Sequence, residues 1–432
     1  MKKNLFSVLV ASLITVISTQ IFAQGTGNSP YSAIGVGELV PNAFAPNLAM
    51  GGTGVSYGNI VYINNVNPAL LVKKQYTAFD VGLNGQYKNI SNGTLSQSDF
   101  GMNLNYLSLA LPAHKNWTMG LTFQPYTSVD YESRFVRTIA NSEKQAETRY
   151  SGRGGISKAA FSNGVRIGKN LYVGLETAFY FGSISKDTTS ITEYTVSGVT
   201  ESNHLKFTER TSFGGTGLKL GAAYQQPLNK KWQLNIGGTY ELGNNLRADR
   251  LNNYQFLIES AGGNGPTIAR TPDTLAQATG TYSIPGKYTL GVSFESPLKW
   301  VFAVDYSRQD WGKFKNFDGR ANPNLTASSQ LSFGFEHIPN IQSTKYTSQI
   351  GYRFGFQTSN TPYLINNQQI KDRSFSFGLT LPVGKVSPSF VTLTTILGRR
   401  GTTENNLIQE NYTKLVLGFS LNSLWFQKVR ID

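Results

Sequence analysis

The 432-residue chain contains no cysteine and only three histidines, and charged residues make up 15% of it. Without cysteine there is no disulfide framework, no thiolate metal site and no cysteine nucleophile. Apolar residues reach only 39%, which excludes a bundle of membrane-spanning helices. Aromatic residues make up 12%, which argues against disorder. The remaining composition, rich in aromatics, glycine and uncharged polar residues, suits β-structure with two unlike faces.

The chain shows no arrangement of residues that would support catalysis. His114, His204 and His337 all fall in predicted turns or loops. No nucleophile with a base beside it and a third group to orient that base is apparent. No spacing of ligands suggests a metal site, and no cofactor is expected. We therefore predict that the protein is not an enzyme.

Residues 1–23 have the features of a secretory signal peptide. Lys2 and Lys3 form a positive start, an apolar core follows, and Ala23 offers a small residue for cleavage. Cleavage there would leave Gln24 as the mature N-terminus, and loss of the two lysines would lower the formal charge from +14 to +12. We expect an exported protein of a bacterium with a Gram-negative-type envelope.

The rest of the chain alternates between apolar and other residues with a period of two. Leu415, Leu417 and Phe419, for example, alternate with Lys414 and Gly418. Six short connections alternate with seven long polar ones, which implies fourteen strands, although weak alternation in two of them leaves twelve or sixteen as alternatives. Short turns and long loops in strict alternation are typical of outer-membrane barrels. The strand centres are expected near residues 83, 105, 121, 162, 176, 220, 237, 290, 304, 333, 353, 378, 393 and 416.

The sequence therefore predicts an all-β protein, a transmembrane antiparallel β-barrel of about fourteen strands over residues 77–432, located in the outer membrane. A closed barrel leaves no unpaired strand edge in lipid. Trp117, Trp232 and Trp300 each follow a lysine-bearing short turn, which fits a girdle at one membrane interface. Because these turns account for much of the positive charge, we expect membrane lipids as partners and no nucleic acid.

The lumen of such a barrel is too wide for its own side chains to fill. Residues 24–76 lack strand alternation and are expected to form a hatch or plug inside it. Glycines recur on the inner face, which suggests close approach by this segment, or alternatively relief of crowding in a curved sheet. These glycines are Gly82, Gly101, Gly120, Gly164, Gly174, Gly221, Gly237, Gly291, Gly334, Gly355, Gly378 and Gly418.

Charged residues are also predicted on the inner face of the strands. They either anchor the hatch segment or line a solvated pore. The residues concerned are Asp80, Arg166, Glu176, Glu336 and Arg353.

Three short motifs precede the first strand: Ser29-Pro30-Tyr31, Met50-Gly51-Gly52 and Asn67-Pro68-Ala69. Their order resembles the FadL family of outer-membrane transporters for hydrophobic compounds such as long-chain fatty acids. The resemblance implies a fourteen-stranded barrel closed by an N-terminal hatch. It also implies that Met50, Gly51, Gly52, Asn67, Pro68 and Ala69 belong to the hatch and its ligand site. The ending Leu424–Lys428 departs from the terminal aromatic residue usual in outer-membrane barrels, as expected of a divergent branch.

The resemblance further implies a route for a hydrophobic ligand, which passes from the outer loops to a pocket beside the hatch and leaves sideways through an interruption in the third strand. Pro125 lies in the third predicted strand, and proline cannot donate to a strand ladder. We therefore predict a lateral gate at Pro125. The alternative is an ordinary strand end at the outer rim.

Two functions from different classes follow. The first is hatch-gated uptake of a hydrophobic small molecule with lateral release into the membrane. The alternative is a non-transport subunit of a protein-secretion translocon, a plug, scaffold or cargo-escort barrel, because some proteins resembling the FadL family serve such complexes. A continuous apolar path from the loops to Pro125 would favour transport, and a polar, packed interior would favour the subunit.

Overall fold

The computed structural model describes residues 27–139, 145–196, 199–260, 267–383 and 389–423. The predicted signal peptide and the ending Leu424–Lys428 lie outside these ranges. Within them, no helix is both long and apolar enough to cross a membrane.

The described residues form one continuous antiparallel sheet, in which alternating sequences give long strands and only short helical turns interrupt them. The helical turns are Pro30–Ala33, Ala45–Leu48, Pro68–Lys73, Trp311–Lys313, Tyr346–Gln349 and Glu404–Asn406. The strands are β1 (Glu38–Leu39), β2 (Thr77–Ser91), β3 (Ser96–His114), β4 (Trp117–Thr138), β5 (Gln145–Ile167), β6 (Leu171–Val196), β7 (Val199–Pro227), β8 (Gln233–Glu241), β9 (Asn244–Ser260), β10 (Thr267–Ile284), β11 (Lys287–Ser296), β12 (Trp300–Asp310), β13 (Ala327–His337), β14 (Gly351–Ile365), β15 (Gln368–Val383), β16 (Ser389–Gly401) and β17 (Gln409–Ser423).

Fourteen of these strands, β2–β8 and β11–β17, close into a barrel. β8 pairs with β11 at Gly237↔Gly291, and β17 returns to β2 at Gly418↔Gly82. Each of the fourteen predicted centres lies in a different barrel strand. The predicted fold class and strand number are therefore confirmed, and the alternatives of twelve and sixteen strands are excluded.

One of the seven long connections predicted from the sequence, residues 245–282, is not a loop but the hairpin of β9 and β10. β9 pairs with the outer part of β7, from Gly214↔Arg247 to Glu201↔Ser260. β4 to β7 are also long, with 22, 23, 26 and 29 residues, whereas β8 has nine and β11 has ten. These long strands and the hairpin form a projecting wall on one side of the barrel. The sequence did not predict the hairpin because only its base contributes to the apolar core, through Leu246, Ala248, Tyr282 and Ile284, and apolar residues do not alternate regularly along the rest of its length.

The outer face of the barrel is an apolar belt. Phe333 pairs across strands with Phe356, and Phe354 with Phe377, and these side chains are exposed or half-buried. At the short-turn end, Trp232 stacks on Phe294 with ring centroids 4.4 Å apart. A belt of this kind with tryptophans at its rim is the surface that a bilayer covers.

The inner face packs against the N-terminal segment, defined here as residues 27–76. A Cβ atom added at ten of the twelve predicted inner glycines would meet this segment within 4 Å. At Gly174 it would overlap the backbone of Pro68 and Ala69, and at Gly355 it would overlap Gly51. The prediction of close approach is confirmed for these ten positions. They are Gly120, Gly164, Gly174, Gly221, Gly237, Gly291, Gly334, Gly355, Gly378 and Gly418.

Gly174→Ala should lower the free energy of unfolding by about 1–3 kcal/mol, because its methyl group meets backbone that cannot move aside. Gly214→Ala is the matched control on β7, since its Cβ would meet nothing within 4 Å, and its effect should stay within about 0.5 kcal/mol. Urea unfolding in lipid vesicles, followed by tryptophan fluorescence, measures both. Equal stability of the two variants would show that the segment is not packed against β6.

Candidate functional site: the N-terminal segment and the β3–β4 seam

The Met50-Gly51-Gly52 motif forms a tight turn after the helix Ala45–Leu48. Gly51 and Gly52 have φ of +67° and +83°, which side chains disfavour. A Cβ at Gly51 would lie 2.8 Å from the Phe356 carbonyl oxygen, so glycine is also required by the wall. The Gly51 N–H donates to Ser376 Oγ at 3.0 Å. Met50 is buried, and Tyr57 OH lies 2.8 Å from its sulfur.

The Asn67-Pro68-Ala69 motif begins the 3-10 helix Pro68–Lys73. Asn67 Oδ1 caps this helix by accepting from the Ala69 N–H at 3.0 Å. Its Nδ2 donates to the Val55 oxygen at 2.7 Å and to the Ala222 oxygen on β7 at 3.1 Å. One buried amide therefore joins two parts of the segment to the wall. The structure brings both motifs to the wall but not to a shared open pocket, and their role in ligand binding stays a prediction.

Three of the five predicted inner charges form ion pairs within the described residues. Arg353 pairs with Glu336 (Nη2–Oε2 2.5 Å) and lies over the Tyr62 ring of the segment at 5.1 Å. Glu176 instead pairs with Lys158 of the wall at 2.9 Å. Asp305, which sequence reasoning missed, accepts the N–H groups of Gly54 and Val55 at 2.8 and 3.0 Å. Inner charges of the wall therefore bind the segment as well as one another.

A further group of buried charges, with six members, lies toward the long-loop end and was not predicted. Arg400 contacts Glu38 of the segment (Nη2–Oε1 2.8 Å) and Asp372 of the wall (Nε–Oδ2 3.0 Å). Lys88 Nζ lies 3.4 Å from the second oxygen of Glu38. We call this group the Arg400 cluster; its members are Glu38, Lys88, Asp372, Arg400, Glu410 and Lys414.

The ladder between β3 and β4 stops early. It runs from His114↔Trp117 to Leu107↔Phe123 and ends there, although both strands continue. On the other side of β4, the register with β5 shifts between Pro125 and Thr127. Pro125 thus lies at a bulge two residues beyond the last β3–β4 pair. We call the stretch in which β3 and β4 do not pair with each other the β3–β4 seam.

Residues 28–40 of the segment fill this seam. β1 pairs with β4 at Glu38↔Ser128 and Leu39↔Thr127, and the Val40 N–H donates to the Tyr126 oxygen at 3.0 Å. Nearer the long loops, the Ser29 N–H donates to the Asp130 oxygen of β4 at 2.8 Å. The Asn28 N–H donates across the seam to Asp99 Oδ2 of β3 at 2.6 Å. The barrel is closed here by its own N-terminal segment.

The interior holds a cavity of about 240 Å³ beside the Arg400 cluster. Most of the residues that line it are polar, among them Asn84, Gln86, Asn105, Gln124 and Gln330, and apolar side chains such as Leu39, Leu48 and Ile396 line the rest. Polar groups of this kind can hold water in the cavity.

The long-loop end of the lumen is closed by an apolar core. Tyr31 and Val36 of the segment pack there with Phe314, Tyr363 and Leu407, all buried. Aromatic stacking contributes, with Tyr31 and Tyr363 centroids 5.8 Å apart. This core extends to Tyr126 and Val129 beside Pro125, so apolar residues do connect the loops with Pro125, but they form a packed core.

Lys74 lies near the end of the segment and donates from Nζ to the oxygens of Ile60 (3.2 Å) and Val61 (2.7 Å). Burial lowers its pKa from 10.5 to about 8, although Asp80 opposes the shift. Because the unfolded chain then binds more protons, stability should rise between pH 8 and pH 10.5, by up to about 3 kcal/mol. Urea unfolding across this pH range measures the change. Lys74→Met should remove this part of the pH dependence; the same pH profile in both proteins would contradict the assignment.

Solved structures that resemble this chain are outer-membrane channels and transporters rather than enzymes. The Ralstonia pickettii toluene transporter TbuX is 16% identical, covers 89% of this chain and 98% of its own, and has a TM-score of 0.54. The Pseudomonas putida toluene transporter TodX is 16% identical, with coverage of 90% and 100% and a TM-score of 0.55. A Pseudomonas aeruginosa FadL homologue is 11% identical, with coverage of 90% and 99% and a TM-score of 0.54. At these identities the likeness shows the fold.

The expected resemblance to the FadL family is therefore confirmed in architecture, and the chain has the fold of outer-membrane transport channels. Among curated protein sequences, none matches this chain. The sequence profile of one family, BamG, matches residues 1–432. With its full length matched, this divergent FadL-like barrel belongs to the BamG family.

Proposed function

We propose that this barrel is a closed scaffold or plug subunit of a protein-translocation complex in the outer membrane, not a channel for ligands. The observation that carries the proposal is the filled lumen. The N-terminal segment occupies it, an apolar core closes the long-loop end, and the cavity beside the Arg400 cluster is lined mostly by polar residues. A hydrophobic solute would have to displace packed protein to pass.

The projecting wall supports the proposal, because it supplies a surface for a protein partner. Phe135 lies eighteen residues beyond Trp117 on β4. At about 3.3 Å per residue and a tilt near 45°, that is roughly 40 Å, beyond an apolar band about 25 Å tall. Phe135 packs against Tyr150 with centroids 5.9 Å apart, and both remain exposed. Exposed aromatic residues outside the bilayer are typical of protein interfaces.

Native mass spectrometry of the protein, gently extracted from its own outer membrane, tests this proposal. We expect a stoichiometric complex with a larger protein and no bound mass of lipid-like size. The purified barrel should also leave the conductance of a planar bilayer at its baseline, because its lumen is filled. A lone barrel that carries a lipid-like mass would contradict the proposal.

A second candidate function is uptake of a hydrophobic small molecule, such as a fatty acid, with hatch-gated lateral release. The β3–β4 seam favours it, because the ladder ends beside Pro125 where a lateral gate was predicted. In this reading, Met50, Gly51, Gly52 and Asn67-Pro68-Ala69 belong to a movable hatch. Residues 28–40 would then have to leave the seam for the ligand to reach the membrane.

Pro125→Ala tests the second candidate. The substitution restores a backbone N–H at the bulge, and one added hydrogen bond of about 1 kcal/mol in the closed state would slow uptake about fivefold. Uptake of a fluorescent long-chain fatty acid into vesicles containing the barrel is the measurement. Pro112→Ala is the control. Pro112 pairs with Thr118 where β3 and β4 do form a ladder, so this substitution should leave uptake unchanged. Equal rates in both variants would exclude a gate at Pro125.

A further inference from the structure

The edge of β4 in the seam is bonded as if to a neighbouring strand. The Tyr126 and Asp130 oxygens accept from Val40 and Ser29, and the pair Glu38↔Ser128 lies between them. Further along, the Glu132 N–H donates to Asn28 Oδ1 at 3.1 Å. This edge therefore accepts a short extended stretch, residues 38–40, and two further contacts from Asn28 and Ser29, none of which β3 supplies.

The charges behind this edge require an anion from the same polypeptide. The wall contributes three cations to the Arg400 cluster, Lys88, Arg400 and Lys414, and two anions, Asp372 and Glu410. Glu38 from the segment supplies the third anion and makes the cluster neutral. A buried cation left without a partner is strongly unfavourable, so the site selects a carboxylate.

We propose that the β3–β4 seam is a binding site for a partner polypeptide that pairs with β4 through a short extended stretch, with a carboxylate where Glu38 lies. Residues 28–40 occupy this site as an internal stand-in for that polypeptide. The proposal rests on the proposed function, because a subunit of a protein complex needs such a contact. The partner is a polypeptide because the site recognises two features together, a backbone that pairs with β4 and one carboxylate.

Two glycines of the segment allow a matched test. A Cβ at Gly37 would lie 2.6 Å from the Ser128 oxygen, so Gly37→Ala loosens the segment from β4. Gly35→Ala is the control: both glycines have positive φ, 101° and 63°, but the nearest atom to a Cβ at Gly35 is the flexible Leu325 Cδ1 at 3.3 Å. The probe is a fluorescent peptide of residues 27–42, used with the full-length barrel.

Fluorescence anisotropy should show saturable binding to the Gly37→Ala barrel, at least about tenfold tighter than to wild type or to Gly35→Ala, where the chain's own segment competes. The same peptide with Glu38→Gln should bind about tenfold more weakly or worse, because the cluster keeps an unpaired cation. Equal affinity of the two peptides would overturn the carboxylate requirement. Absence of binding to a Gly37→Ala barrel whose segment has become sensitive to protease would overturn the site.

A trapping experiment covers the case in which Gly37→Ala does not fold. The chain has no cysteine, and Leu39 and Thr127 are register partners. With an added oxidant and the peptide in excess over the chain's own segment, a peptide with Leu39→Cys should form a disulfide with the Thr127→Cys barrel, but not with the Thr118→Cys barrel, whose position lies in the intact ladder. Failure to trap the peptide at Thr127→Cys would overturn the site. If the peptide is trapped but native mass spectrometry finds no complex with a larger protein, only the proposed function is overturned.

Discussion

A sheet of fourteen strands encloses more space than its own side chains can fill, and much of this structure follows from how that space is occupied. The chain uses its first fifty described residues for the purpose. Glycines on the wall bring the backbone of the segment against the strands, as at Gly174 beneath Ala69. Close packing of backbone on backbone leaves no room for side chains, so both partners need small residues there.

The same packing carries polar groups into the interior, where each needs a partner. Asn67 joins the segment to β7, Asp305 accepts two of its N–H groups, and Glu38 completes a charge cluster. Most of these bonds link the segment to the wall rather than to itself. The segment is therefore held by the polar inner face of the barrel, whereas the outer face is apolar. Because mainly the outer face needs apolar side chains, the chain has few apolar residues.

Much of the barrel could be predicted because lipid imposes a strict alternation on every strand it touches. The hairpin of β9 and β10 could not, since apolar residues do not alternate regularly beyond its base. Pro125 marked the seam correctly, because a proline limits ladder pairing wherever the strand lies. The pairing of Glu38 with Arg400 could not be predicted, because it joins residues far apart in sequence through the register of β1, and a two-residue strand has no periodicity. Sequence reasoning thus placed Pro125 beside the interrupted ladder but did not place residues 28–40 there, and the role of Pro125 as a gate stays a prediction.

The charge balance of the Arg400 cluster has a consequence for ion flow. Residues 28–40 carry one of its three carboxylates, so withdrawing them removes a negative charge and leaves three cations facing two anions. A ring with excess positive charge admits anions more readily than cations. Any state in which this segment leaves the seam would therefore be anion-selective at this level of the barrel, whatever molecule caused the segment to leave.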